Sequence, residues 1–132
     1  MTVLDTSAVI DFLLGTGTAE QVRELIRAEG VVASPDVLTF EVLAVLRRGV
    51  LRGVLDVRRA GGAVEDYGDL AVDLRSTVPL RSRAWELREN LTAADALFVA
   101  LAEELGEPLA TKDLGLAQGA DRVGVRAVHL RE

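Results

Sequence analysis

The chain has 132 residues, of which 49% are hydrophobic; it has no cysteine and a single histidine, His129. That suits one compact domain over 1–132 and leaves out disulfide scaffolds, thiolate nucleophiles, sulfur-ligated zinc and histidine-based triads, so any demanding chemistry falls to carboxylates. The net charge of −6 argues against a general nucleic-acid binder, and no apolar run approaches the roughly 18 to 20 residues that cross a bilayer.

The opening MTVLD predicts a strand over 2–5 and the next apolar stretch a helix over 7–14. Asp5 and Asp11 interrupt what would otherwise pass for an apolar leader, so a cytoplasmic protein is expected. A helix over 18–29 stops at Gly30 and is followed by a strand over 31–33. Ser34 and Pro35 read as the cap and first residue of a helix over 35–51, with Gly53 as its stop. A helix over 55–67, a strand over 70–74 and a helix over 80–89 come next. Thr92 reads as the cap of a helix over 92–105 that ends at Gly106, and a strand over 108–111, a helix over 114–119 and a strand over 125–129 complete the chain. Strands that alternate with helices in this way predict an α/β fold, an open parallel sheet covered by helices on both faces. No linker or repeat divides it.

Four acids sit at the ends or in the interior of otherwise apolar segments: Asp5 closing MTVLD, Glu41 within VLTFEVLAVL, Asp95 in LTAADALFVALAEEL and Asp113 closing PLATKD. A carboxylate so placed is costly unless something compensates it, and a divalent cation is the natural compensator. Oxygen-only donors suit Mg2+ or Mn2+. Each acid also has a plainer explanation. Asp5 is a good helix cap, Thr92-x-x-Asp95 resembles a capping box, and Asp113 is at home after a strand. Glu41 is different, because at helical spacing it shares a face with Val37, Leu38 and Val45. An ion pair with Arg48 would be one way to satisfy it, and extension of the side chain to the helix edge another. In open α/β sheets ligands gather outside the carboxyl ends of strands where strand order reverses, and Asp5 and Asp113 both stand where a strand gives way to a helix. One metal site explains all four acids together.

Lys112 is the sole lysine and follows no glycine-rich loop, so there is no Walker motif; Gly15-x-Gly17 lacks the third glycine of a dinucleotide fingerprint and reads as a loop. The serines have no nucleophile elbow. Trp85 and Tyr67 read as core or interface residues. Arg47, Arg48 and Arg52, with Arg58 and Arg59 next, crowd one region and are candidates for contact with phosphate or an acidic partner, as against a merely solvated helix face.

The segments LDTSAVIDFL, FEVLAVLRRG and LTAADALFVALAEELGEPLATKD resemble the signature segments of PIN-domain ribonucleases, and among these the VapC-type toxins of bacterial toxin–antitoxin pairs. The resemblance covers nearly the whole length, and 92–113 is its most specific part. It implies a three-layer PIN-like fold with a five-stranded parallel sheet, endonucleolytic cleavage of RNA with Mg2+ or Mn2+, homodimerisation and inhibition by a cognate VapB-type antitoxin. Residue by residue it carries an acidic site onto Asp5, Glu41, Asp95 and Asp113, with Thr6, Ser7 and Thr111 as supporting polar residues. Asp5, Asp95 and Asp113 are then expected metal ligands, and Glu41 a ligand to a second metal or the group that orients the attacking water. Some relatives carry a further acid just after the position of Asp113, where this chain has Leu114, Gly115 and Leu116. Two other classes compete: a catalytically weak or degenerate α/β interaction module, and a phosphotransfer domain. Ser7 stands where a dehalogenase-type phosphotransfer site needs a second Asp.

Overall fold

The computed structural model describes residues 1–132. Five parallel strands form one sheet in the order β3-β2-β1-β4-β5, where β1 is Val3–Leu4, β2 Val32–Pro35, β3 Val72–Arg75, β4 Leu109–Thr111 and β5 Ala127–His129. The expected α/β class and the five-stranded parallel sheet are both present. Seven helices connect the strands: α1 Thr6–Leu14, α2 Ala19–Glu29, α3 Val37–Leu51, α4 Val57–Gly68, α5 Arg81–Glu86, α6 Ala93–Leu105 and α7 Leu114–Arg122, with a short 3-10 turn at Val78–Leu80 before α5.

The three inner strands, β2, β1 and β4, are short and largely apolar because they are covered on both faces; Val3, Leu4, Val32, Ala33, Leu109 and Ala110 are all fully buried. A connected core of 27 buried residues joins them to Val9 and Leu13 of α1, Leu38, Val42 and Leu46 of α3, and Phe98, Val99 and Leu101 of α6. Helix α1 packs against α2, α3 and α4, while α6 lies against β1, β2 and β4. From β1 the chain winds to β2 and β3 on one side, then returns to lay β4 and β5 on the other. The order therefore reverses between β1 and β4, and a crevice opens beyond their carboxyl ends.

One local expectation is overturned. Ser34 and Pro35 do not start a helix but end β2, and Asp36 occupies the cap of α3. The Ala33 N–H donates to the Thr2 carbonyl, so continuation of that ladder would take the N–H of residue 35 to the carbonyl of Leu4. Proline has none, and the Ser34 hydroxyl donates to the Leu4 carbonyl instead, at 2.6 Å. The ladder thus tolerates a proline in an inner strand. Glu41 consequently lies just over one turn into α3. Of the two readings of Trp85, core or interface, its 67% exposure leaves the second, and the Arg88 guanidinium lies 4.7 Å from its ring centroid. No helix is long and apolar enough to cross a membrane.

Candidate active site

Asp5 immediately follows β1, and the β1–β4 register, Val3 beside Leu109 and Leu4 beside Ala110, brings it opposite Thr111. Its extended backbone makes it the N-cap of α1, so one Oδ1 accepts from the Ala8 N–H at 3.0 Å and from the Ser7 hydroxyl at 2.8 Å. The other oxygen accepts from the Thr111 hydroxyl. Asp5 is thus the cap that local reading suggests, but it is also only 6% exposed, far more buried than a cap requires. Burial pushes its carboxyl above the ordinary range, against the three hydrogen bonds, and the nearby Asp113 charge adds to the rise. Two carboxylate oxygens offer about four acceptor positions, so the three bonds leave room for one more partner.

Asp113 follows β4 and caps α7, with Oδ1 accepting from the Leu116 N–H at 3.2 Å. Its own N–H donates to the Thr111 hydroxyl at 2.9 Å, so Thr111 ties both strand-end acids together. Asp95 stands in the first turn of α6, where its N–H, and not its carboxylate, completes the Thr92 cap at 3.2 Å. Burial raises the Asp95 carboxyl first and the Asp113 charge next; a hydrogen bond from the Thr92 hydroxyl opposes them, and the charges of Asp5 and Glu41 add to the rise. Glu41 reaches from α3 to accept from the Thr6 hydroxyl at 2.7 Å. The pairing with Arg48 that would have satisfied it does not form. Half-buried Glu41 lines the acidic cleft instead, and its charge bears on Asp95.

These side chains line one cleft of about 380 Å³, together with Thr6, Ser7, Ile10, Val45 and Phe98. All four sequence-selected acids are therefore brought together from four separate elements at the sheet's topological reversal. The donors are oxygen only, and free acceptor positions remain on several of them. As the side chains stand, no three of the acids are placed to hold a metal ion together. An open arrangement of that kind fits a hard cation such as Mg2+, which keeps several of its waters and takes only a few protein oxygens.

Two residues of the cleft escaped sequence reasoning. Asp11 is 4% exposed and lies with Lys112 in the cleft wall. Its carboxylate accepts from the Thr16 hydroxyl, the Thr18 hydroxyl and the Thr18 N–H, and from the Lys112 ammonium at 3.1 Å to each oxygen. Burial opposes its ionisation, but the Thr18 N–H and Lys112 outweigh that and hold the carboxyl below its usual value. The only signals in the sequence were an acid in the apolar run VIDFLL and a GTGT loop after it. That loop is built around Asp11: Gly17 has φ +50° and a methyl group there would run into the Asp11 carboxylate. Gly17→Ala is expected to lower stability by at least about 1–2 kcal/mol from the left-handed backbone alone, measurable by thermal or urea denaturation.

The arginine cluster sits elsewhere. Arg47 and Arg48 border a neighbouring apolar groove with Phe40, Leu43 and Ala44, and neither lines the acidic cleft. Arg59 donates to the carbonyls of Leu13 and Leu14 at the end of α1.

A family model described as PIN domain matches residues 2–121. The chain is 37% identical over 118 residues to Ribonuclease VapC12 of Mycobacterium tuberculosis, covering 89% of this chain and 91% of that one. It is 40% identical over 117 residues to Ribonuclease VapC9 of the same organism, covering 89% of both. The crystal structure of FitAcB from Neisseria gonorrhoeae superposes with a TM-score of 0.60 over 98% of this chain and 97% of that one, at 22% identity, a likeness of fold. An acidic crevice at the reversal of a β3-β2-β1-β4-β5 sheet and a match along nearly the whole length lead to one conclusion: the chain belongs to the PIN-domain family.

Proposed function

We propose that this protein is a metal-dependent endoribonuclease, the toxin of a VapBC-type toxin–antitoxin pair. The observation that carries the reading is the convergence of Asp5, Glu41, Asp95 and Asp113 on one cleft at the carboxyl ends of β1 and β4. Relatives named ribonucleases at 37–40% identity support it, and family membership leaves no place for the phosphotransfer alternative. The cation is divalent, Mg2+ or Mn2+ by the hardness of the donors. Asp5, Asp95 and Asp113 hold it. When bound, it supplies a nucleophile by acidifying a water and neutralises charge that develops on the phosphoryl oxygens. Glu41, fixed by Thr6, holds a second cation or orients the attacking water. Ser7 and Thr111 keep the Asp5 carboxylate in one rotamer, which is the preorganisation such a site needs. Purified protein incubated with total RNA and Mg2+ or Mn2+ should generate new 5′ ends that an Asp95→Asn control does not. An absence of new ends in both would favour an interaction module.

A partner surface completes the reading. The outer face of α3 and its continuation into α4 exposes Phe40 at 70%, Leu51 at 66%, Val54 at 80% and Val57 at 67%, more clustered apolar surface than scattered exposure explains. Arg47 and Arg48 flank it, with Arg52 at the end of α3. This position favours the cognate antitoxin over RNA as their contact. Reversing Arg47 and Arg48 to Glu should weaken antitoxin binding roughly tenfold, more at low salt than at high, and leave RNA cleavage by the free toxin nearly unchanged. A fall in cleavage with antitoxin affinity intact would reassign the arginines to RNA. Homodimerisation, implied by the VapC resemblance, is part of the same proposal and is testable by sedimentation equilibrium.

A further inference from the structure

Lys112 is the only cationic side chain that lines the cleft; the ionisable groups around it are Asp5, Asp11, Glu41, Asp95 and Asp113. Its placement is over-determined. The ammonium is 3.1 Å from both oxygens of Asp11, the backbone N–H is 3.4 Å from the Ser7 hydroxyl, and the carbonyl is 3.2 Å from His129 Nε2. Asp11 is itself held by Thr16 and by both the N–H and hydroxyl of Thr18, inside a loop that only Gly17 allows to close. A buried carboxylate saturated in this way has little acceptor capacity left for a cation, which separates Asp11 from the four acids that remain open. The Lys112 side chain, by contrast, keeps 39% of its surface. An ammonium has three donors, and Asp11 takes two.

An ion pair between two ordinary surface groups would contribute little and need no such scaffold. A phosphodiester strand entering a cleft of five carboxylates does need a fixed positive group, since oxygen-bound cations offset the acids but do not by themselves place the strand. We propose that Lys112 contacts a non-bridging phosphate oxygen of the bound RNA and that Asp11 is its positioning residue. The inference rests on the ribonuclease reading and adds the group that holds the substrate backbone. Because the contact is to phosphate, it acts on all sequences alike.

The test measures equilibrium binding of a short fluorescent single-stranded RNA over a salt series with Mg2+, in an Asp95→Asn background that does not cut. Steady-state cleavage is measured separately with Asp95 intact. Lys112→Met should weaken binding roughly tenfold and make the slope of log affinity against log salt shallower by about 0.7, the loss of one phosphate contact on a single strand. Lys112→Arg should restore the slope and most of kcat/KM. Asp11→Asn should keep the slope, since the charge remains, while lowering kcat. An unchanged slope and affinity in Lys112→Met, with a lowered melting temperature, would overturn the proposal and make the pair a strut between the GTGT loop and the β4–α7 turn. If the protein with Asp95 intact binds RNA and never cuts it, the nuclease reading fails, whereas the slope still decides Lys112.

Discussion

Asparagine at Asp5, Asp95 or Asp113 is expected to reduce metal-dependent RNA cleavage by at least roughly a hundredfold, or about 2.7 kcal/mol of transition-state stabilisation, while the fold persists. The two halves of that statement have separate physical grounds. Activity falls because each substitution keeps the side chain's shape and removes the charge that a hard cation requires. The fold persists because asparagine caps helices as well as aspartate does. At position 113 it can still accept from the Leu116 N–H, and at position 5 from the Ala8 N–H and Ser7 hydroxyl. At position 95 the cap bond uses the backbone N–H, and an asparagine oxygen can still accept from the Thr92 hydroxyl that partners the carboxylate. Cleavage rates and circular dichroism on the same preparations separate the two effects. Near-wild-type rates in any two of the three variants would show that the cleft is not the catalytic centre.

The second large effect is on stability, through the same acids. Asp5 and Asp95 both have carboxyls raised above 3.8, first by burial and then by neighbouring charge. Between 3.8 and their raised values the folded chain holds protons that the unfolded chain has lost, so the stability of the metal-free protein falls as pH rises through that window. Asp11 has the opposite sign: its carboxyl is lowered, so its contribution is present above 3.8 and disappears as pH falls through its folded value. Metal-free stability should therefore peak in the acid range and decline toward neutrality. A divalent cation that binds only the folded cleft reverses the decline, by about 2.7 kcal/mol at a hundredfold excess over its dissociation constant. For a chain of this size that corresponds to roughly 10 °C in melting temperature. Asp95→Asn should raise the melting temperature of the metal-free protein at neutral pH and shrink the shift on adding Mg2+ or Mn2+. Asp5→Asn should show less stabilisation, because Asp5 is engaged by Thr111 as well as by its cap bonds. Scanning fluorimetry with chelator and with metal reads all of these. A full metal shift in Asp95→Asn would place the cation elsewhere.

Much of this molecule can be read without its structure because the controlling interactions are local. The alternation of apolar runs with helical periodicity, the cap at Thr92 and the stops at Gly30 and Gly106 depend on residues within a few positions of one another, and they appear where expected. The four acids were also visible, since a carboxylate in an apolar segment is anomalous wherever the segment goes. Local chemistry could not separate a plain cap from a cleft residue, because Asp5 and Asp113 are both at once. That distinction came from strand register, which sets Asp5 against Thr111 across 106 positions of sequence. Ser34-Pro35 misled for a related reason. The dipeptide is a good helix start by itself, but a hydroxyl could replace the missing N–H only where the Leu4 carbonyl was waiting on the neighbouring strand. Asp11 and Lys112, 101 positions apart, looked like an interruption and a lone cation until the parallel sheet laid the β1–α1 and β4–α7 turns side by side. Pairings of that range are selected by how the whole chain closes its core, and no local pattern encodes them.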